Sequence, residues 1–342
     1  SASVWSESIN EALTLAPQIK AGVVWVNGAN LFDASCGFGG YRESGFGREG
    51  GVEGLREYLR PSLPKKPSDK SIRTTLINAQ NQLVDQTIKL YINGKKVRSD
   101  SGYSRSVIHK GECLAVVPQA NRKDFRNAVE AAVNSAKWAE MSGHARAQVL
   151  FFMAENLANQ KSQVLQTLKR LLPLGAAKRE IDLSIDGLFA FAGWADKYEG
   201  VIHRPPTHGI VTALKEPVGV ITIVCPEAYP LSGLLIPIAA AISQGNRIVA
   251  IPSGNTPHII RDAYDLFDTS DLPDGVVNLI TGNPEELAQV VATHADVQAL
   301  WWLKSQGSAS ETAERESAHT LMRTWIPEFF NPTTLDAVHQ KE

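Results

Sequence analysis

Cysteine is scarce in this sequence. There are three, Cys36, Cys113 and Cys225, and no two form a CxxC pair. An odd, scattered set gives no disulfide framework and suits a reducing compartment, so a cytoplasmic location is expected. Long apolar runs are also missing. The longest, residues 231–242, is interrupted by Gly233 and Pro237, and no membrane-spanning helix is expected. Neither sign of charge dominates: 34 basic against 36 acidic residues leave a formal net charge of -2. That balance offers no field for nucleic acid or an anionic membrane, so neither is expected as a partner. The eight histidines contain no HExxH or HxxxH spacing; His203, His208 and His258 lie in stretches beside Pro or Thr, and no metal site is expected. The first twenty residues lack the basic and apolar regions of a signal peptide, and the absent initiating Met points to truncation or processing.

What is present describes an ordinary globular chain. Its 342 residues are 43% hydrophobic, enough for two or more cores. Residues 8–20 place Ile9, Ala12, Leu13, Ala16 and Ile19 at helical spacing, and Gly22 separates them from a short apolar strand at 23–26. A stretch rich in Gly and aromatics follows at 27–51, then a short helix at 52–58, and Pro61, Pro64 and Pro67 break structure before a linker. At 90–97, LYINGKKV is a hairpin signal, because Asn93-Gly94 accepts the positive φ angles of a tight turn. Amphipathic helices are predicted at 124–137, 144–168 and 180–200.

From Gly219 onward the pattern alternates. Strands are predicted at 220–224, 247–251, 276–280 and 297–303, with helices at 231–243, 256–266 and 284–293 between them. The β-branched run at 220–224 is that of a strand covered on both faces. Alternation at this spacing means βαβ units, hence an α/β fold with a Rossmann-like parallel sheet and flanking helices.

Two stretches resemble the aldehyde dehydrogenase superfamily. AGVVWVNGANLF (21–32) followed by FGGYRESGFGREGG (38–51) is similar to the end of that family's catalytic domain. Residues 90–303 are similar to its beginning, in the family's own order: LYINGKKV, AGWADKYEG (192–200), EPVGVITIVCPEAYPL (216–231), GNRIVAIPSGNTP (245–257), LPDGVVNLITG (272–282) and HADVQAL (294–300). The end of one unit thus precedes the start of another. Two tandem units explain this more simply than a circular permutation, and the chain most resembles the C-terminal portion of a tandem-unit family 16 aldehyde dehydrogenase.

The resemblance implies a Cys nucleophile and a Glu base, and both would lie beyond the last matching segment. Neither a Gly-Gln-x-Cys-like nor a Glu-Leu-Gly-Gly segment appears, so no catalytic residue is assigned. Cys225 and Cys113 are expected to be structural, and Cys36 to lie exposed in its loop. The resemblance also implies departures at the cofactor. Ala228 stands for the Asn that donates to the oxyanion, Ile251 and Gly254 for a Lys and a Glu near the adenosine ribose, and Lys304 for a Gly beside the pyrophosphate. Ser253 and Gly282 match retained cofactor positions, with a role in the turns as the plainer reading. Leu31, Phe32 and Phe38 match positions lining the aldehyde tunnel, with packing as their alternative, and Gly37 replaces a Pro.

These observations set the expectations. Residues 1–60 would end a first unit, 61–86 form a linker, 87–320 a truncated second unit with a degenerate NAD-binding domain, and 321–342 a tail. Segments 57–60 and 90–97 match the family's edge oligomerisation strands. The second unit would be a non-catalytic assembly pseudo-domain that binds neither NAD nor NADP. Its parent would oxidise aldehydes to carboxylic acids with one of them. Expected partners are the upstream aldehyde dehydrogenase unit and further copies of the chain. The alternatives are a nucleotide-sensing Rossmann module and a whole-chain pseudoenzyme scaffold.

Overall fold

Residues 1–59, 72–78, 87–197, 200–206 and 209–332 are described by the structure, a computed structural model. They fall into two compact units. The smaller joins Ser1–Leu63 to Tyr198–Glu216, and the larger joins Pro64–Lys197 to Pro217–Glu342.

The smaller unit begins with β1 (Ala2–Val4), α1 (Ile9–Leu15) and β2 (Val24–Val26), with β1 and β2 parallel neighbours. The Ser8 hydroxyl caps α1 by accepting from the Glu11 amide at 3.4 Å. The predicted helix over 8–20 is shorter in the structure because Pro17 turns the chain into a 3-10 turn at Ala16–Gln18. An antiparallel pair of β3 (Phe38–Gly39) and β4 (Arg48–Glu49) leads into α2 (Gly51–Glu57). Here glycine is required by crowding: a Cβ on Gly39 would lie 2.2 Å from the Gly47 carbonyl oxygen. Glu57 closes α2 and Tyr58 and Leu59 form no strand, so the expected edge strand at 57–60 is absent from its described residues.

The larger unit starts with β5 (Thr75–Asn78), inside the stretch expected to be a linker. It pairs antiparallel with β8 (Ser104–His109), which pairs with β9 (Glu112–Pro118). Between them lies the hairpin of β6 (Leu90–Ile92) and β7 (Lys95–Val97), with Asn93 and Gly94 at φ 53° and 68°, as its Asn-Gly predicts. Helices α3 (Arg122–Asn134), α4 (Lys137–Glu140), α5 (Gly143–Asn159), α6 (Lys161–Leu168) and α7 (Leu174–Trp194) follow. The helix expected at 180–200 starts earlier, right after Pro173, which serves as its N-cap. That places Glu180 inside α7 and buried.

The chain then forms the hairpin of β10 (Val201–His203) and β11 (Val211–Ala213), which belongs to the smaller unit rather than to the run 87–320. Among the contacts that join this segment to the rest of the smaller unit are two made by side chains. His203 Nε2 lies 3.4 Å from Glu53 Oε1, and the Tyr41 hydroxyl donates to Glu216 at 3.0 Å.

The rest of the larger unit alternates: β12 (Val220–Val224), α8 (Ser232–Ser243), β13 (Arg247–Ile251), α9 (Ile260–Asp268), β14 (Val277–Leu279), α10 (Pro284–Ala292), β15 (Ala299–Trp302), α11 (Ser308–Ser317) and β16 (Arg323–Trp325). Among the described residues they build a seven-stranded sheet ordered β16-β15-β12-β13-β14-β6-β7, parallel from β16 to β14 and closed by the antiparallel β6–β7 hairpin. The Rossmann-like α/β expectation therefore holds. The boundary at 320 does not: β16 pairs with β15, Trp325 packs edge-on to Trp301 at 5.3 Å, and Phe330 is buried. Leu321, just before this strand, is left-handed at φ 50°. The sheet is covered on both faces. One core holds α5, α7, α8 and α9 residues such as Leu150, Phe191, Ile238 and Phe267, and the other holds Phe125, Val129, Val291 and Trp302.

Candidate functional site

Strand order decides where a ligand can sit. From β12 the chain crosses through α8 to β13, and from β15 it goes the opposite way, through α11 to β16. The carboxyl ends of β12 and β15 therefore flank the point where the winding reverses, and open parallel sheets bind ligands in the crevice there.

Two opposite charges meet at that point. Glu227, just past β12, and Lys304, just past β15, form an ion pair with Nζ 3.5 Å from Oε1. Both are largely buried, with side chains 16% and 20% exposed, so solvent screens the pair poorly. Lys304 also reaches the exposed Glu285 at the start of α10, at 3.2 Å. The second Glu227 oxygen accepts from the Ser253 hydroxyl at 2.8 Å, and Ser253 Oγ accepts from the Asn255 amide at 3.2 Å.

The backbone beside this pair is anchored from below. Glu180 of α7 accepts from the Leu231 and Ser232 amides at 3.2 and 3.1 Å and from the Ser232 hydroxyl. These donors open α8, whose first-turn amides have no partner within the helix. Burial raises the Glu180 carboxyl above its ordinary range, and the donated hydrogen bonds act against that rise. Gly233 lies in the same turn because a Cβ there would come within 2.6 Å of the Pro226 ring.

The sequence-predicted site residues separate into two groups. Ser253 belongs to the Glu227 cluster. Gly282 follows β14 in a tight approach, where a Cβ would stand 3.2 Å from Leu287 and 3.4 Å from the Ala120 carbonyl. In the smaller unit, Leu31, Phe32 and Phe38 come together: Phe32 lies 5.5 Å from Trp25 and 5.0 Å from Phe38, both edge-on, and the Trp25 indole donates to the Leu31 carbonyl at 3.0 Å. Leu31 and Phe32 are nevertheless more than half exposed, so the cluster presents an apolar surface. The Glu227–Lys304 pair was not foreseen. Its only sequence signals were a Glu inside PEAYP and a Lys at a Gly position, and 77 residues of chain separate the two.

A sequence profile of the aldehyde dehydrogenase family matches residues 1–63 and 98–326. The chain belongs to this family. It is 28% identical over 238 residues to cytosolic 10-formyltetrahydrofolate dehydrogenase of Xenopus laevis, covering 65% of this chain and 26% of that protein. To the NADP(+) D-glyceraldehyde dehydrogenase of Thermoplasma acidophilum it is 26% identical, covering 68% of this chain and 48% of that one. An NAD-dependent aldehyde dehydrogenase from Sinorhizobium meliloti superposes with a TM-score of 0.65 at 27% identity, over 70% of this chain and 49% of that chain. An aldehyde dehydrogenase from Bacillus cereus in its NAD+ complex gives 0.65 at 25% identity, over 72% and 53%. The chain thus spans no more than about half the length of these family members.

The cysteines of this family member differ in access from their sequence expectations. Cys113 is exposed on β9 rather than structural, and Cys36 is buried rather than exposed, its amide bonded to the Asp33 carbonyl. Cys225 is buried at the end of β12, as expected, where burial and the Glu227 charge raise its thiol far above the ordinary range. Brief iodoacetamide treatment of the folded chain is expected to label Cys113 and to spare Cys225, as read by peptide mass. Equal labelling of Cys225 would contradict this burial.

Among the described residues no group of three or more His, Cys, Asp or Glu could hold a metal ion; His208 lies outside them. No helix among them is long and apolar enough to cross a membrane.

Proposed function

We propose that the larger unit is a non-catalytic assembly domain of an aldehyde dehydrogenase-type protein. The parent protein oxidises aldehydes to carboxylic acids with NAD or NADP, using a thiol that this chain does not supply. Aldehyde oxidation needs a reactive thiolate, donors for the oxyanion, a hydride acceptor and a base for deacylation. At the carboxyl ends of the strands the nearby thiol is Cys225, buried and strongly protonated.

One observation carries the reading: the Glu227 carboxylate lies at the switch point, held by Lys304 and Ser253. A dinucleotide brings two phosphate charges to such a crevice, where helix amides and cations normally meet them. Here a fixed negative charge stands in that place, and the cation and hydroxyl beside it are already engaged. The residues present therefore do not fit the family's cofactor. Assembly is supported by the two ends of the sheet, β7 and β16, since sheet edges pair readily with further chains. The partners are then the upstream catalytic unit and further copies of the chain.

The test is calorimetric titration of the full chain with NAD, NADP and ATP, together with an assay for reduced nicotinamide in the presence of an aldehyde. No heat of binding and no turnover are expected. Turnover of any aldehyde, or saturable NAD binding by the wild-type chain, would refute the reading. Heat with ATP alone would favour a nucleotide-sensing module.

A further inference from the structure

We propose that Glu227 is the residue that closes the switch-point crevice to diphosphate-bearing ligands, and that Lys304 is the cation the crevice offers them once Glu227 loses its charge. The inference rests on the reading above, that the wild-type crevice does not take a dinucleotide.

The geometry gives Glu227 two roles at once. One carboxylate oxygen lies 3.5 Å from the Lys304 ammonium, and the other accepts the Ser253 proton at 2.8 Å. These are the charge and the hydroxyl donor at the carboxyl ends of β15 and β13, on either side of β12. An incoming diphosphate would have to share them with a carboxylate a few ångströms away. Two like charges at such a distance repel strongly where burial limits screening. Lys304's second partner does not close the crevice in the same way. Glu285 is 61% exposed on α10, and an exposed ion pair holds its cation weakly. The neighbouring backbone leaves room, since a Cβ on Gly254 would find as its nearest atom Glu227 Oε1, at 3.8 Å. Glu227 thus does internally what a bound anion would do: it neutralises Lys304.

The experiment titrates inorganic pyrophosphate into the full-length wild type, Glu227→Gln, Glu227→Ser and the double variant E227Q/K304M by calorimetry, with thermal melts as a check of fold. Both single variants are expected to bind pyrophosphate at least about tenfold more tightly than wild type, and the double variant to lose that gain. Wild type binding as tightly as the single variants overturns the inference. So does silence from folded E227Q and E227S, or binding that survives in E227Q/K304M. Failure of both single variants to fold also overturns it, because the pair would then be holding the fold rather than excluding a ligand. NAD binding by wild type tests the earlier reading separately: it would remove the proposed function, whereas silent variants beside a silent wild type remove this inference alone.

Discussion

Glu180→Ala is expected to lower the stability of the larger unit by about 3 kcal/mol, read in urea as a lower midpoint with an unchanged slope. The side chain is buried in α7, and its two oxygens receive the Leu231 amide, the Ser232 amide and the Ser232 hydroxyl. Removing the acceptor leaves buried donors at the start of α8 without partners, and each orphan costs on the order of 1 kcal/mol or more. Glu180→Gln keeps one acceptor oxygen and should lose about half as much. The same α8 start follows directly on the loop that carries Glu227, so E180A should also loosen the ion pair. A loss below about 0.5 kcal/mol would mean that water reaches α8 and that Glu180 does not hold this loop.

Asp262→Asn is expected to stabilise the larger unit by about 2–3 kcal/mol at about pH 8 and by almost nothing at about pH 4. Burial pushes the Asp262 carboxyl up to about 6, against the pull of Arg261 and the Thr167 hydroxyl, and its Oδ2 has no partner. A carboxyl raised on folding favours the native state while protonated. Its contribution is complete below the unfolded value of 3.8 and is lost as pH rises through about 6. The amide of Asn never acquires that buried charge. His258 acts in the opposite sense. Burial, with Arg261, Arg170 and His109 nearby, lowers it from 6.5 to about 4, so its contribution is present above 6.5 and fades as pH falls through about 4. In wild type the two drifts oppose each other, and the variant uncovers the histidine's loss in acid. Urea midpoints of both proteins across this range decide the matter. A constant difference between them would show that folding leaves the Asp262 carboxyl unshifted.

Much of the larger unit could be read without coordinates. The buried run at 220–224 and the Asn-Gly of 93–94 each act through local physics: β-branched packing and tolerance of positive φ. The elements that escaped notice are short or irregular. β5 has four residues and β16 three, too few for a period-2 pattern, and each exists because a neighbouring strand supplies its hydrogen bonds. The hairpin at Val201–Ala213 is assigned to the smaller unit by His203, Glu53, Tyr41 and Glu216, residues whose proximity no spacing in the sequence reveals.

The site divides along the same line. Sequence by itself determined the α/β alternation and the family, because those depend on residue type and order. It could mark Lys304 where the resemblance implies a Gly but could not say whether that lysine fills the space or attracts a phosphate. Tertiary structure added what no spacing shows: it brings Glu227 to this lysine across the ends of β12 and β15. The sign of a crevice is a sum over charges from separate strands, and only the register of the sheet determines which of them are added together.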